Sequence, residues 1–228
     1  MRRLIRDISS VLIISGALLV ADAAVTLLWQ EPITAVIGKI KQGEVNKKFL
    51  SYSSAPLTPF DRHTVANLAT MSQRITFLAR QETRRVGTGD AIGKIDISRI
   101  HAVYDVVQGT DTSSLEKGPG HYPSTALPGL GQTVAIAGHR TTYLAPFRHI
   151  DALKPGDKIV VTMPYAKFTY VVQYHQIVKP TALWVTKNKG YDRLVLSACN
   201  PLYSAAQRII VFARLQETQP LAAARASA

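Results

Sequence analysis

The chain has 228 residues, 46% hydrophobic and 18% charged, which excludes a wholly disordered polypeptide and fits one globular domain with added segments. Lys and Arg number 27 against 15 Asp and Glu, a net charge of +12 that favours an anionic neighbour without choosing among nucleic acid, phospholipid and an anionic polymer. A single cysteine, Cys199, excludes an intrachain disulfide and every zinc site built on several thiolates.

Residues 1–7 carry Arg2, Arg3 and Arg6, and residues 8–29 contain one charge, Asp22. A helix of that length reaches about 33 Å, enough for a hydrocarbon core of about 30 Å. The flanking arginines predict a cytoplasmic n-region and a single-pass signal anchor over 8–29, with the rest of the chain outside and Trp29 in the aromatic belt. A cleaved signal peptide is the other reading. It takes 8–20 as the apolar region and Ala21-Asp22-Ala23 as the cleavage site, and Asp22 favours it. Both readings export the remainder of the chain.

Residues 30–90 read as an extracellular basic stalk. A polar helix is expected over 34–50 and a flexible break at Ser51–Pro59. A second helix is expected over 61–85, with Val65, Leu68, Ala69, Ile75 and Leu78 partly periodic. Contact with anionic headgroups and a solvated spacer both remain open for its lysines and arginines.

The pattern changes at Ile92. Short apolar or β-branched runs at 92–100, 103–107, 133–137, 158–162, 168–178, 193–198 and 208–215 are separated by Gly- and Pro-containing turns. They predict a mainly-β domain over 91–215, a closed barrel or a sandwich, with a helical turn or two within 143–153. Residues 216–228 are expected to be a flexible tail.

Three residues stand out chemically. Cys199 ends the run Leu194-Val195-Leu196-Ser197-Ala198 and meets a turn at Asn200-Pro201, where a thiol can reach solvent; a buried inert cysteine is the alternative. His139 also stands where a strand enters a turn, after Gly138, and could exchange protons with a thiol. Arg208 lies nine residues after Cys199 and would flank the same loop in a hairpin, where a guanidinium could stabilise an oxyanion. No P-loop, dinucleotide fingerprint, nucleic-acid module or cluster of metal ligands is evident, so no cofactor, metal or nucleic acid is expected.

Taken together, Gly138-His139-Arg140-Thr141-Thr142-Tyr143, Leu196-Ser197-Ala198-Cys199 and Arg208 resemble the catalytic signature of sortases, membrane-anchored cysteine transpeptidases of Gram-positive bacteria. The likeness spans residues 92–215 and includes Gly118-Pro119-Gly120-His121-Tyr122-Pro123. The wording around His139, and Cys199-Asn200-Pro201-Leu202-Tyr203-Ser204, is most similar to the class E sortases of actinobacteria.

The resemblance implies an eight-stranded β-barrel with short helices. It implies that Cys199 attacks the Thr–Gly bond of a Leu-Ala-x-Thr-Gly or Leu-Pro-x-Thr-Gly sorting signal and forms a thioester. An amine of a peptidoglycan precursor or a pilin would resolve that thioester. His139 would serve as acid and base, Arg208 would hold the substrate or its oxyanion, and Tyr143 would favour Ala over Pro in the signal. The partners implied are exported proteins with a C-terminal sorting signal. The sequence departs from the family at Ala198, where a threonine that positions the peptide is usual, and at Leu144, where class E chains often have Gly. Ala198 supports an alternative, a catalytically silent peptide-binding barrel. An L,D-transpeptidase ranks lower, because Ala rather than Gly precedes Cys199.

Overall fold

The computed structural model describes residues 2–28 and 31–225. Helix α1 (Arg2–Leu28) is one continuous apolar rod, with Leu12 and Leu19 about 70% exposed. By length and composition Arg2–Thr26 can cross a membrane. The belt position expected for Trp29 lies outside the described residues.

Eight strands close into a barrel: β1 (Ala91–Ile97), β2 (Ala102–Gln108), β3 (Gly120–His121), β4 (Thr133–Ala137), β5 (Lys158–Thr162), β6 (Ala166–Val178), β7 (Arg193–Asn200) and β8 (Gln207–Pro220), in the order β1-β2-β3-β4-β7-β8-β6-β5. Closure removes free edges, and it resolves the barrel-or-sandwich alternative in favour of the barrel. Seven of these strands coincide closely with the apolar runs. The eighth, β3, has only two residues, too few for alternation to register. The interior is filled by alternate side chains, among them Ile95, Val134, Ile136, Tyr170, Leu194, Leu196 and Val211.

The segment expected to be a stalk packs on this barrel instead. It forms α2 (Pro32–Ser53), α3 (Pro59–Asn67) and α4 (Met71–Arg85). Glu31 caps α2 by accepting from the N–H groups of Ile33 (3.0 Å) and Thr34 (2.5 Å), with Pro32 opening the helix. Val45 and Phe49 of α2 pack against Ala91 and Val107. Ile75, Leu78 and Ala79 of α4 join the main core, together with Val65 of α3. The single helix expected over 61–85 is two, because Thr70 and Gln73 form a reciprocal capping box that starts a new helix.

Between β2 and β3 lies a single helical turn, α5 (Thr112–Leu115). At the far end of the chain, β8 runs on to Pro220, where it pairs with Ala166, and α6 (Ala222–Arg225) buries Ala224. The described part of the expected tail is therefore strand and helix. Within 143–153 the helical turn is limited to a 3₁₀ turn at Ile150–Ala152, preceded by three left-handed residues.

Candidate active site

Strand register brings three side chains to one end of the barrel. Parallel strands β4 and β7 pair Ala137 with Ser197, and the Gly138 N–H donates to the Ser197 carbonyl at 3.0 Å. Two residues further on each strand stand His139 and Cys199. Antiparallel β7 and β8 pair Cys199 directly with Arg208, which places both side chains on one face.

Alternation identifies that face. Leu194, Leu196 and Ala198 of β7 point into the barrel, as do Ile209 and Val211 of β8. Val195, Ile210 and Phe212 form an outer apolar cluster with Ala135 and Val185. Cys199 and Arg208 share the outer phase, so the half-buried thiol stands on the outer side of the wall, past Ser197 and the buried cluster of Val195, Ile210 and Phe212. Ala198 lies on the opposite face and is 3% exposed. The hydroxyl missing there is missing from the interior, so its absence leaves the outer wall unchanged.

Gly138 is required by a close approach: a Cβ there would lie 2.6 Å from Cδ2 of Phe147, whose ring is fully buried. The loop after His139 folds back under this ring, with the Phe147 N–H donating to the His139 carbonyl at 3.0 Å. Arg140 then binds the loop to the cysteine strand. It is 5% exposed and donates to the Arg148 carbonyl (3.1 and 3.0 Å), to Asn200 Oδ1 (3.2 Å) and to the Cys199 carbonyl (3.5 Å). It also pairs with Asp151 at 2.9 Å. Sequence reasoning quoted Arg140 only as part of a motif. Its signal was a planar five-donor side chain between His139 and an acid eleven residues on.

The imidazole of His139 is half-buried, and its Nε2 is buried without a hydrogen-bond partner. Burial pulls its pKa below the ordinary histidine value, and the Glu116 carboxylate opposes that shift. The Tyr143 ring lies beside it, centroids 5.5 Å apart. Tyr143, Leu144 and Ala145 all have positive φ, a costly conformation for residues with a Cβ. They are held from outside: Tyr143 N–H donates to Thr34 Oγ1 (3.1 Å), Tyr104 Oη to the Leu144 carbonyl (3.2 Å), and Tyr143 Oη to Glu116 Oε1 (3.2 Å).

Arg208 is half-buried, and its Nη1 donates to the carbonyls of Ala205 and Gln207, both at 2.9 Å. Its guanidinium is thus fixed on the β7–β8 loop. A cleft of about 300 Å³ beside Cys199 is lined by Arg140, Thr141, Tyr203, Ser204 and Ala205. Tyr203 accepts from Arg148 Nη2 (2.9 Å) and donates to the Thr26 carbonyl of α1 (2.7 Å), so the C-terminal end of the apolar helix meets the loop after the thiol.

His121, the other histidine beside a glycine turn, is structural. It is 1% exposed, with Nδ1 2.8 Å from Gln108 Oε1 and Nε2 2.9 Å from the Ala126 carbonyl. Among the described residues no three His, Cys, Asp or Glu side chains group to hold a metal. A thiol, an imidazole and a guanidinium at one barrel end, with a cleft open beside the thiol, suit acyl transfer.

The Sortase domain family matches residues 95–216. Sortase D of Bacillus subtilis (strain 168) is 33% identical over 131 residues, 56% of this chain and 65% of that protein. Sortase SrtE1 of Streptomyces coelicolor is 28% identical over 148 residues, 58% of this chain and 42% of that protein. The chain thus spans less than two thirds of the length of either curated relative. The crystal structure of sortase E1 from Streptomyces coelicolor with a tripeptide in the active site superposes with a TM-score of 0.56 at 27% identity, covering 58% of this chain and 91% of that one.

Proposed function

Since this chain belongs to the sortase family and is most like its class E members, we propose that it is a membrane-anchored transpeptidase with Cys199 as nucleophile. The observation that carries this reading is the register of β4, β7 and β8, which gathers His139, Cys199 and Arg208 at one end of the barrel.

The substrate is an exported protein bearing a Leu-Ala-x-Thr-Gly or Leu-Pro-x-Thr-Gly signal, taken into the cleft beside Cys199. The thiolate attacks the Thr–Gly carbonyl, and the His139 imidazolium protonates the departing glycine amine, leaving a thioester. An incoming amine, from a wall precursor or a pilin, gives its proton to His139 and displaces the thiolate. Arg208 holds the substrate or the oxyanion. Arg2, Arg3 and Arg6 before the apolar run of α1 support an anchor with the N-terminus in the cytoplasm and the barrel outside. The contact of Tyr203 with Thr26 keeps the cysteine loop near the outer membrane surface.

The test uses the full chain in detergent micelles with a Leu-Ala-x-Thr-Gly peptide. Mass spectrometry should find a peptide thioester on Cys199, released by an added amine as a new amide and absent in Cys199→Ala. Peptide binding without any adduct would instead identify a silent binding barrel.

A further inference from the structure

The face that α2 turns to the barrel reads Thr34, Gly38, Gln42, Val45 and Phe49, spaced three or four apart as one helical stripe requires, with Lys41 beside Gln42. Its N-terminal half rests on the loop after His139. The Glu31 N–H donates to the Thr141 carbonyl at 3.3 Å, and Gly38 lies so close that a Cβ would meet the Tyr143 carbonyl carbon at 3.0 Å. Its middle rests on the segment after α5: Gln42 Nε2 donates to the Lys117 carbonyl at 2.5 Å and to the Asp105 carbonyl at 3.0 Å. Between these two anchor points stands Glu116. One carboxylate oxygen accepts from Tyr143 Oη at 3.2 Å, and the other pairs with Lys41 Nζ, itself 6.0 Å from the Tyr143 ring centroid.

We propose that Glu116 is a positioning residue: by binding Lys41 of α2 and the Tyr143 hydroxyl together, it holds the Tyr143 ring against His139 and sets the imidazole for proton transfer. This rests on the transpeptidase reading of the same site. The strained backbone at Tyr143, Leu144 and Ala145 has no glycine to ease it, so the ring keeps its place only while external partners hold it. Glu116 is also an anion near an imidazole whose Nε2 has no partner, so it supports the protonated form that the leaving amine needs. Glu116 is the charge that acts on His139 directly; Lys41 and Glu31 on the α2 side act on Tyr143, Arg140 lies next in the loop, and Cys199 and Arg208 share the same barrel end on β7 and β8.

The test measures the His139 titration by NMR, alongside peptide turnover, in the full chain in micelles with Glu116→Gln, Glu116→Asp and Lys41→Met. Removing the carboxylate charge should lower the His139 pKa, a change of about three- to tenfold in proton affinity. Lys41→Met frees the carboxylate from its neutralising partner and should raise it. Glu116→Asp should restore most of the wild-type value. In Glu116→Gln, kcat should fall about tenfold, with a smaller rise in KM because Tyr143, which the resemblance sets against the signal, loses its anchor as well. If Glu116→Gln leaves the titration unchanged, or if Glu116→Gln and Lys41→Met shift it in the same direction, as simple wetting of a loosened pocket would, the proposal is overturned. Should Glu116→Gln not fold, the Lys41→Met shift decides alone. A wild type that titrates as described but never acylates overturns the transpeptidase reading instead.

Discussion

The methyl group of Ala198 faces the barrel interior while the thiol one residue later faces out, because successive side chains on a strand take opposite faces. The departure from the family's usual threonine therefore acts on packing. Ala198→Thr adds a hydroxyl and a methyl to a filled core and should destabilise the chain by about 1–3 kcal/mol while leaving the KM for peptide unchanged. Thermal unfolding and steady-state kinetics on one preparation check both halves. At the same scale, Cys199, His139 and Arg208 were legible as candidates because Cys199 and Arg208 lie at strand ends on one loop and His139 stands just past the end of β4, after Gly138. Arg140 and Glu116 were not. Arg140 is defined by carbonyls it meets eight to sixty residues away, and Glu116 by Lys41, 75 positions earlier.

Among the elements, α2 is the one that the sequence understates. Its core-facing stripe mixes Thr34, Gly38 and Gln42 with Val45 and Phe49, so it gives no apolar period and reads as a solvated spacer. Beside the packing of Val45 and Phe49, its contacts are hydrogen bonds to backbone carbonyls, the Lys41–Glu116 pair and one glycine-sized approach. Gly38→Leu should force α2 away from Tyr143, whose backbone cannot yield as a flexible side chain would. The expected result is a drop of about tenfold or more in kcat/KM, because a misplaced catalytic group costs far more than its distance suggests. The barrel's unfolding midpoint should stay within a few degrees. Equal losses of activity and of barrel stability would mean that α2 serves the fold alone. The opposite case is α4, whose Ile75 and Leu78 did register as a partial period because they enter the core.

For the molecule as a whole, His121 ties stability to pH. Burial holds its pKa at about 4, below the ordinary 6.5. The unfolded chain takes up this proton near pH 6.5 and the folded barrel only near pH 4. Its contribution is therefore complete above about pH 6.5 and is lost as the pH falls through that window, by about 3 kcal/mol. Urea unfolding between pH 7 and 4 should show this loss, and His121→Gln should flatten the slope by the equivalent of one proton. The sequence by itself determined the apolar leading helix, seven of the eight strands and the turns that end them, because hydropathy period and backbone-restricted residues are local properties. The tertiary structure alone decided the two-residue β3, the docking of 32–85 on the barrel, the continuation of β8 to Pro220, and the meeting of α1 with the cysteine loop and of α2 with the loop after His139. Those depend on register and on polar contacts between distant segments, and such pairings leave no periodic trace along a single chain.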